Sequence, residues 1–254
     1  MAKYLTGRGG ESERRAQIEI LERIEARFQP AIAREIARAM RIMARGFAET
    51  GVVPPLPNDH VMQMHYVLDR MALVSLRLMA GRILNAQRAD SMVIERKDFA
   101  STMAKLATRY IGLEAYRRRI TKISETTRGN IVAQVARGYD AGLGQEGVAK
   151  LIREAVPEIA RARSSLIART ETHGAAGYGA QGAAVETGLE LRKEWIAAED
   201  ERTRDSHAEI NGDIIGLEDY FDVGGFSAQF PGDPSLPPEE CINCRCVVGY
   251  VVDD

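Results

Sequence analysis

The spacing of the apolar residues changes once along this chain, near Gly188, and this change constrains its fold more than any other feature. Between residues 11 and 48, apolar side chains recur at steps of three and four among charged ones, which predicts an amphipathic helix. Residues 189–197 instead alternate apolar and polar side chains, and residues 247–252 are a β-branched run, which predicts strands. The predicted fold class is α+β, with a predominantly α-helical N-terminal body and a small β-containing C-terminal domain.

Proline and glycine divide the helical part into segments. Residues 50–58 contain three prolines among four positions, and because proline donates no backbone hydrogen bond, they predict a turn. Pro30 predicts a kink or a break, and Pro157 fits the first turn of a helix. Residues 174–184 are rich in alanine and glycine, and these small residues predict close helix packing. The predicted helical segments are residues 11–48, 60–87, 98 to beyond 110, 124–137, 145–155, and 157 to about 184. The third segment has Arg117, Arg118 and Arg119 at its far end, and the fourth has Ser124 or Thr126 as its N-cap.

Charge is distributed unevenly along the chain. The whole sequence has 34 Lys and Arg against 36 Asp and Glu, a net charge of -2. Residues 195–254 contain 14 acidic and 3 basic residues, a net of -11, which leaves +9 for residues 1–194. The basic part could bind nucleic acid, or the two parts could pair between subunits. Solvated helix faces are the third interpretation.

The apolar stretches are short, which bears on the location of the protein. Arg, Lys, Asp or Glu interrupts every one of them, so none reaches the run of about 20 apolar residues that spans a bilayer. We therefore do not expect this chain to be an integral membrane protein. The first ten residues also lack the apolar core of a secretory signal, so we expect folding in a cytoplasm.

All three cysteines, Cys241, Cys244 and Cys246, lie within six residues near the C-terminus. An odd, clustered set in a chain expected to fold in a cytoplasm argues against a disulfide framework. The cysteines offer up to three thiolates, which His207 would complete to a tetrahedral structural zinc site. Asn243 tolerates the tight turn that such a site requires. The predicted metal ligands are His207, Cys241, Cys244 and Cys246.

Two other interpretations of the cysteines stay open. In the first, they are reduced, buried, small hydrophobic residues, and His207 hydrogen-bonds to nearby backbone. In the second, Cys241 and Cys244 are a redox pair. Such a pair usually begins a helix in a βαβ setting, whereas this one follows a predicted hairpin at residues 221–230.

The polar segment before the cysteines could instead hold an acid/base site, because histidine titrates near neutrality and carboxylates can orient it. Its members are Asp200, Arg202, Arg204, Asp205 and His207. The sequence shows no activated nucleophile, no phosphate-binding glycine loop and no second acidic cluster that would define a reaction. We therefore do not expect this protein to be an enzyme, and we interpret the charged side chains of this segment as a salt-bridge network.

Seven short segments, taken in order, resemble the phage Mu F-like head morphogenesis domain. They are Ala168-Arg-Thr-Glu-Thr172, Trp195, Asp200-x-Arg-Thr-Arg-x-x-His207, Asn211-Gly212, Phe221-Asp-Val-Gly-Gly225, Pro231-Gly-Asp233 and Ile242-Asn-Cys-Arg-Cys246. The resemblance covers roughly residues 120–250. In other members the positions that match Arg204 and His207 can be cysteine. Because Arg204 departs from that pattern, metal ligation here would need His207 and the cysteines.

The resemblance implies a structural function. Members of the family are minor head proteins of tailed phages and prophages, present near the portal and implicated in procapsid assembly and in DNA packaging or ejection. The implied partners are portal protein and major capsid or scaffolding protein, with phage DNA contacted through the basic N-terminal body and no membrane. The implied location is the virion, inside the capsid near the portal, with the host cytoplasm during assembly.

Three regions follow from the patterns and the resemblance together. Residues 1–120 are the helical N-terminal region, residues 121–187 are the helical part of the Mu F-like domain, and residues 188–254 are the small, β-rich, acidic C-terminal part with the cysteine cluster. Two functions remain as alternatives to the head protein. One is a nucleic-acid-binding protein with a zinc-stabilised C-terminal module, and the other is a metal-dependent hydrolase.

Overall fold

The structure is a computed structural model that describes residues 3–89 and 96–252. Its helices are α1 (Gly10–Thr50), α2 (His60–Ala89), α3 (Arg96–Gly112), α4 (Glu114–Asp140), α5 (Gln145–Glu186), α6 (Asp205–Glu209) and α7 (Pro238–Cys241). Its strands are β1 (Lys3–Tyr4), β2 (Leu191–Ile196), β3 (Ile214–Gly216), β4 (Phe221–Val223), β5 (Phe226–Ala228) and β6 (Val247–Val252). Helices dominate and the sheets are small, so the predicted α+β class is confirmed.

The centre of the helical body consists of α1, α2 and α5, which pack along one another. α1 has 41 residues and α5 has 42, so each is about 60 Å long. The side chains of Ile32, Ile36, Met40 and Met43 on α1 are fully buried in this centre. Their spacing of three and four residues confirms the amphipathic stripe predicted for the first helix. None of the helices within residues 3–89 and 96–252 combines the length and apolar character that crossing a membrane requires.

Two predicted helix breaks are wrong. Pro30 lies inside α1, so of the kink or break predicted there the break is wrong. Pro157 lies inside α5, so the segments predicted at 145–155 and from 157 onward are one helix. Both prolines line the same shallow groove between α1 and α5. Packing along the two long helices stabilises them enough to offset the hydrogen bond that each proline removes.

The boundary predicted at residue 124 is also wrong, because α4 runs through it. The hydroxyls of Ser124 and Thr126 donate to backbone carbonyls four residues earlier, at 3.2 and 2.7 Å, and do not cap a helix. This bond within the helix is the usual alternative for serine and threonine side chains. Residues 117–119 therefore lie in the first turns of α4, not at the C-terminal end of the preceding helix as predicted. The N-cap predicted at Asp98 is not tested, because the side chain of Asp98 lies outside the part that the structure describes.

The glycine-rich part of α5 lets this helix approach α2 closely, as predicted. A Cβ atom placed on Gly179 would lie 2.6 Å from the backbone oxygen of Leu76 and 2.8 Å from its Cα. Backbone atoms cannot move aside as the end of a flexible side chain can, so this contact requires glycine.

We expect Gly179→Ala to lower the free energy of unfolding by about 1–3 kcal/mol, because the helices must separate. The matched control is Gly129→Ala on α4, where an added Cβ meets no atom within 4 Å. That change should raise stability by about 0.5–1 kcal/mol through helix propensity alone. Urea denaturation followed by circular dichroism measures both, and equal effects would contradict the close approach.

The main sheet is antiparallel, with the strand order β1-β6-β2-β3. β2 and β6 pair from Leu191 opposite Val252 to Ile196 opposite Val247, which confirms the strands predicted in these segments. β4 and β5 form the predicted hairpin, whose turn contains two glycines with positive φ. The sequence did not reveal β1, because a strand of two residues is too short to alternate.

The sheet is joined to the helical body by buried polar contacts. The side-chain amide of Gln17 on α1 donates to the backbone oxygen of Val248 at 2.7 Å. The hydroxyl of Tyr250 donates to the amide oxygen of Gln181 on α5 at 3.3 Å.

Trp195 on β2 is in a second, smaller core that includes the hairpin and the three cysteines. This core contains the candidate site.

Lys193 on β2 is an isolated cation at the edge of this second core. Its side chain is fully buried, with its ammonium 5.5 Å from the centre of the Phe221 ring and without a hydrogen-bond partner. Burial, opposed by attraction to Asp219 and Asp233, lowers the pKa of Lys193 to about 8. At neutral pH the folded protein therefore holds a charge that is poorly solvated.

We expect Lys193→Met to raise the free energy of unfolding by about 2 kcal/mol at pH 7, because it removes this buried charge. The unfolded chain keeps the lysine proton up to about pH 10.5 and the folded protein only up to about pH 8. Stability of the wild type consequently rises with pH across that window. The advantage of the variant should shrink over the same range in urea titrations, and an advantage independent of pH would contradict a buried charged lysine.

Candidate metal centre

The structure brings together His207, Cys244 and Cys246 in the second core. Nδ1 of His207 lies 3.4 Å from Sγ of Cys246 and 3.6 Å from Sγ of Cys244. The three ligand atoms all lie within 4.8 Å of one another, and all three side chains are buried. One nitrogen and two sulfur donors thus face a common point in a dry environment.

Two short segments far apart in sequence supply these side chains. His207 is in the single-turn helix α6, which follows a turn in which the Asp200 carboxylate accepts the backbone N–H of Arg202 at 3.0 Å. Cys244 and Cys246 lie between α7 and β6. Pairing of β6 with β2 fixes the end of the cysteine segment, and Trp195 on β2 contacts the imidazole edge to face at 5.2 Å between ring centres.

The second nitrogen of His207 faces a carboxylate. Nε2 lies 3.1 Å from Oε2 of Glu240 on α7, at ion-pair distance although not aligned as a hydrogen bond. The same carboxylate oxygen accepts a hydrogen bond from Ser206 at 2.8 Å. A carboxylate behind a ligating imidazole fixes the ring orientation and raises its basicity, and this arrangement is common at protein zinc sites.

The pKa values of the two thiols shift in opposite directions. A hydrogen bond from Cys244 and the adjacent His207 lower the pKa of Cys246 to about 5, in spite of burial. The same contact with Cys246, together with burial, raises the pKa of Cys244. Cys246 therefore loses its proton more readily than Cys244, and the thiolate is the form that binds metal.

The turn between the cysteines is held by the segment Ala168-Arg-Thr-Glu-Thr172 of α5. Asn243 has a left-handed backbone with φ of 62°, and its backbone N–H donates to the hydroxyl of Thr170 at 3.0 Å. Its side-chain oxygen accepts a hydrogen bond from Arg169 at 2.9 Å. The predicted role of Asn243 in a tight turn is thus explained, while the supporting role of Arg169 and Thr170 was not foreseen.

Cys241 lies outside this group. It is buried, and its thiol faces Arg119 of α4, beside Glu171, with burial raising its pKa. Among the described residues, the predicted set of four ligands is therefore reduced to His207, Cys244 and Cys246. The cysteines at 241, 244 and 246 are all free, so the structure contains no disulfide between them.

The remaining candidates for an acid/base site serve local structure. Arg204 donates to the backbone oxygen of Ile242 at 2.7 Å, and Asp205 is in the first turn of α6. Arg202 and Asp200 line a small cleft above the cysteines. A catalytic thiol must be reached by its substrate, and Cys246 is only 3% exposed.

The donor set fits zinc. Zinc in proteins binds cysteine sulfur and histidine nitrogen, and a buried site with an outer carboxylate matches its usual surroundings. His207, Cys244 and Cys246 would hold the ion, which would bridge α6 to the segment before β6. Bound metal itself stays a prediction.

These features define an α+β protein whose C-terminal part encloses a buried His–Cys–Cys centre suited to a metal. Residues 129–249 match the family model of phage Mu protein F like proteins. The match confirms the resemblance inferred from the seven segments. It includes the whole centre and the segment of α5 that supports it.

Three relatives are similar to part of the chain. The minor head protein GP7 of Bacillus phage SPP1 is 33% identical over 127 residues, which are 49% of this chain and 41% of GP7. NAD(+)–arginine ADP-ribosyltransferase EFV of Enterococcus faecalis is 29% identical over 139 residues, 54% of this chain and 28% of EFV. The uncharacterized protein YqbB of Bacillus subtilis is 29% identical over 102 residues, 39% of this chain and 33% of YqbB. The chain therefore spans less than half the length of these relatives. No solved structure matches it.

Proposed function

We propose that this protein is a minor head protein of a tailed phage or prophage, a non-catalytic structural component of the virion. The observation that carries the proposal is the 33% identity with minor head protein GP7 over 127 residues. The family match at residues 129–249 also supports it. EFV shares a stretch equal to only 28% of its own length, so the activity in its name carries little weight for this chain.

The geometry of the centre supports a structural role. His207 and Cys246 are 1% and 3% exposed, so a metal held there is shielded from a macromolecular substrate. Such an ion would act as a clip that holds α6 against the segment before β6, much as structural zinc stabilises small domains. A small β-rich unit with few large apolar side chains gains particular stability from a clip of this kind.

We further propose that the protein acts inside the capsid near the portal, in head assembly and in DNA packaging or ejection. We propose that the C-terminal part contacts portal protein and major capsid or scaffolding protein, and its surface composition supports this proposal. This part is strongly acidic, and Ile214, Tyr220 and Phe226 expose 36%, 59% and 46% of their surface there. Exposed apolar side chains on a charged surface are typical of protein-binding sites.

Fractionation of phage-producing cells tests the proposal. We expect mass spectrometry to find the protein in purified heads, and a pull-down from the lysate to recover portal protein. Tyr220→Ser with Phe226→Ser should weaken that capture, whereas Val132→Ser with Tyr139→Ser, two exposed positions on α4, should not. Protein found only outside heads and their precursors would contradict the proposal.

The alternatives predict different results in the same material. A nucleic-acid-binding protein would show salt-sensitive DNA affinity and no association with heads. A hydrolase would show metal-dependent turnover of DNA or peptide, and an activity like that named for EFV would show consumption of NAD+. Any of these without head association would replace the assignment.

A further inference from the structure

A buried carboxylate on α1 faces the segment of α5 that supports the turn between the cysteines. The carboxylate belongs to Glu25, which is only 7% exposed. One of its oxygens, Oε2, lies 3.3 Å from Nε of Arg169, and the other, Oε1, lies 3.6 Å from Nε2 of His173. α1 precedes the family-matched residues 129–249. This contact therefore joins the N-terminal helical body to the part of the chain that contains the candidate metal centre.

Arg169 extends this contact to the cysteine segment. Its Nη1 donates to the side-chain oxygen of Asn243 at 2.9 Å. Asn243 immediately precedes Cys244, and its left-handed backbone, with φ of 62°, sets the direction in which the chain leaves the turn. Two contacts thus connect the Glu25 carboxylate to the residue before a metal ligand. We call Glu25, Arg169 and Asn243 the three-residue link.

The negative charge of Glu25 compensates two cations beside the cysteines. Arg245 lies between Cys244 and Cys246 in the sequence. Burial and repulsion from the nearby Arg169 lower the pKa of Arg245, while attraction to Asp200 and Glu25 opposes this shift. Glu25 therefore attracts both arginines, which repel each other. Without its charge, that repulsion would favour movement of the turn away from α5.

Side chains of α1 also contact the chain just beyond Cys246. Gln17 and Leu21 line a narrow cleft together with Cys246 and Val248. The side-chain amide of Gln17 donates to the backbone oxygen of Val248 at 2.7 Å. Contacts from α1 thus hold the cysteine segment after its second ligand, and the three-residue link holds it before its first. The placement of the two sulfur donors therefore depends on the position of α1.

We propose that Glu25 and Arg169 are positioning residues for the metal ligands, and that they couple the metal centre to the packing of α1. Both act through Asn243 and not on the metal. Side chains behind the ligands change metal affinity by about 10- to 100-fold, because they fix the donors before the metal arrives. Coupling is reciprocal, so bound metal should in turn stabilise the packing of α1. The proposal rests on the predicted zinc site and goes beyond the structural role proposed for the protein.

Zinc affinity of purified full-length protein tests the coupling. The test variant is Glu25→Gln, which keeps the shape of the side chain and removes its charge. The matched control is Glu35→Gln, because Glu35 is also buried on α1 but pairs with Arg38 and His60. Competition with a chromogenic chelator gives the dissociation constant for zinc. Amide hydrogen exchange of residues 17–29, with and without zinc, reports on the packing of α1.

We expect Glu25→Gln to weaken zinc binding by about tenfold and Glu35→Gln by less than about twofold, although each variant loses a buried charge. Zinc should slow exchange of residues 17–29 in the wild type and in Glu35→Gln, but not in Glu25→Gln. Circular dichroism melting of the metal-free proteins shows that each variant folds. A merely structural role of Glu25 would lower the melting temperature and leave zinc affinity unchanged.

Asn243→Gly is a second test, because glycine keeps the left-handed backbone and removes the acceptor for Arg169. It should also weaken zinc binding, and adding Glu25→Gln should weaken it no further, since both changes break the same link. Equal zinc affinities in Glu25→Gln and Glu35→Gln, or fully additive losses in the double variant, would overturn the coupling and leave the zinc site in place. A wild type that binds no zinc would overturn both, whereas the assignment to phage heads is tested separately by fractionation.

Discussion

Replacement of Cys244 by serine is expected to abolish zinc binding and to destabilise the C-terminal part strongly. The hydroxyl of serine is a poor zinc ligand, and the buried group would retain only His207 and Cys246. Metal content should fall from about one zinc per chain to near zero, and the free energy of unfolding should fall by about 4 kcal/mol. His207→Ala should have the same effect. Mass spectrometry of bound metal and thermal melting measure both quantities.

Cys241→Ser is the matched control for this prediction. Cys241 is as buried as Cys244 but lies outside the group of ligand atoms, so its replacement should reduce stability while leaving zinc bound. Glu240→Gln should retain zinc with an affinity lower by about 10- to 100-fold, because it changes the partner behind the imidazole. Zinc content that is unchanged in Cys244→Ser, or lost equally in Cys241→Ser, would show that the ligands are different.

Trp195→Ala is expected to lower the free energy of unfolding by about 3–5 kcal/mol. This single tryptophan of the chain is completely buried, and its ring contacts Phe221 at 5.3 Å and His207 at 5.2 Å, both edge to face. Alanine would leave a large cavity beside the metal ligands. Zinc should therefore also dissociate more readily, as measured by transfer to a chromogenic chelator.

Trp195→Phe is the control for the size of the cavity. It keeps an aromatic ring between the hairpin and the imidazole, so its cost in urea denaturation should stay within about 1–2 kcal/mol. A loss as small for alanine as for phenylalanine would mean that Trp195 does not organise the second core.

The periodic parts of the fold could be predicted from the sequence because burial imposes a period on each element. The stripe along α1 and the alternation in β2 are long enough to identify helix and strand without tertiary information. Pro30, Pro157 and Ser124 misled the prediction, because each residue is compatible both with a helix end and with a helix interior. Packing of α1 and α4 against α5 decides between a helix end and a helix interior at these positions, and packing is not visible in local sequence.

The candidate site was partly predictable for the same reason. Clustered cysteines and one preceding histidine identified the donors, but spacing could not show which sulfurs face the imidazole. The structure selects Cys244 and Cys246, because a turn at Asn243 directs Cys241 towards Arg119 instead. The segment of α5 that holds this turn was noticed only as part of a resemblance, since hydrogen bonds to a distant loop leave no periodic signal.

We predict that a metal held by one histidine and two cysteines stabilises the C-terminal part of the protein. Zinc K-edge absorption of full-length protein, purified without chelators, tests it most directly. We predict a first shell with two sulfur atoms at about 2.3 Å and a nitrogen at about 2.0 Å, with one sulfur missing from any zinc that Cys244→Ser retains. A wild-type protein without zinc, or with a shell of oxygen and nitrogen alone, would contradict the account.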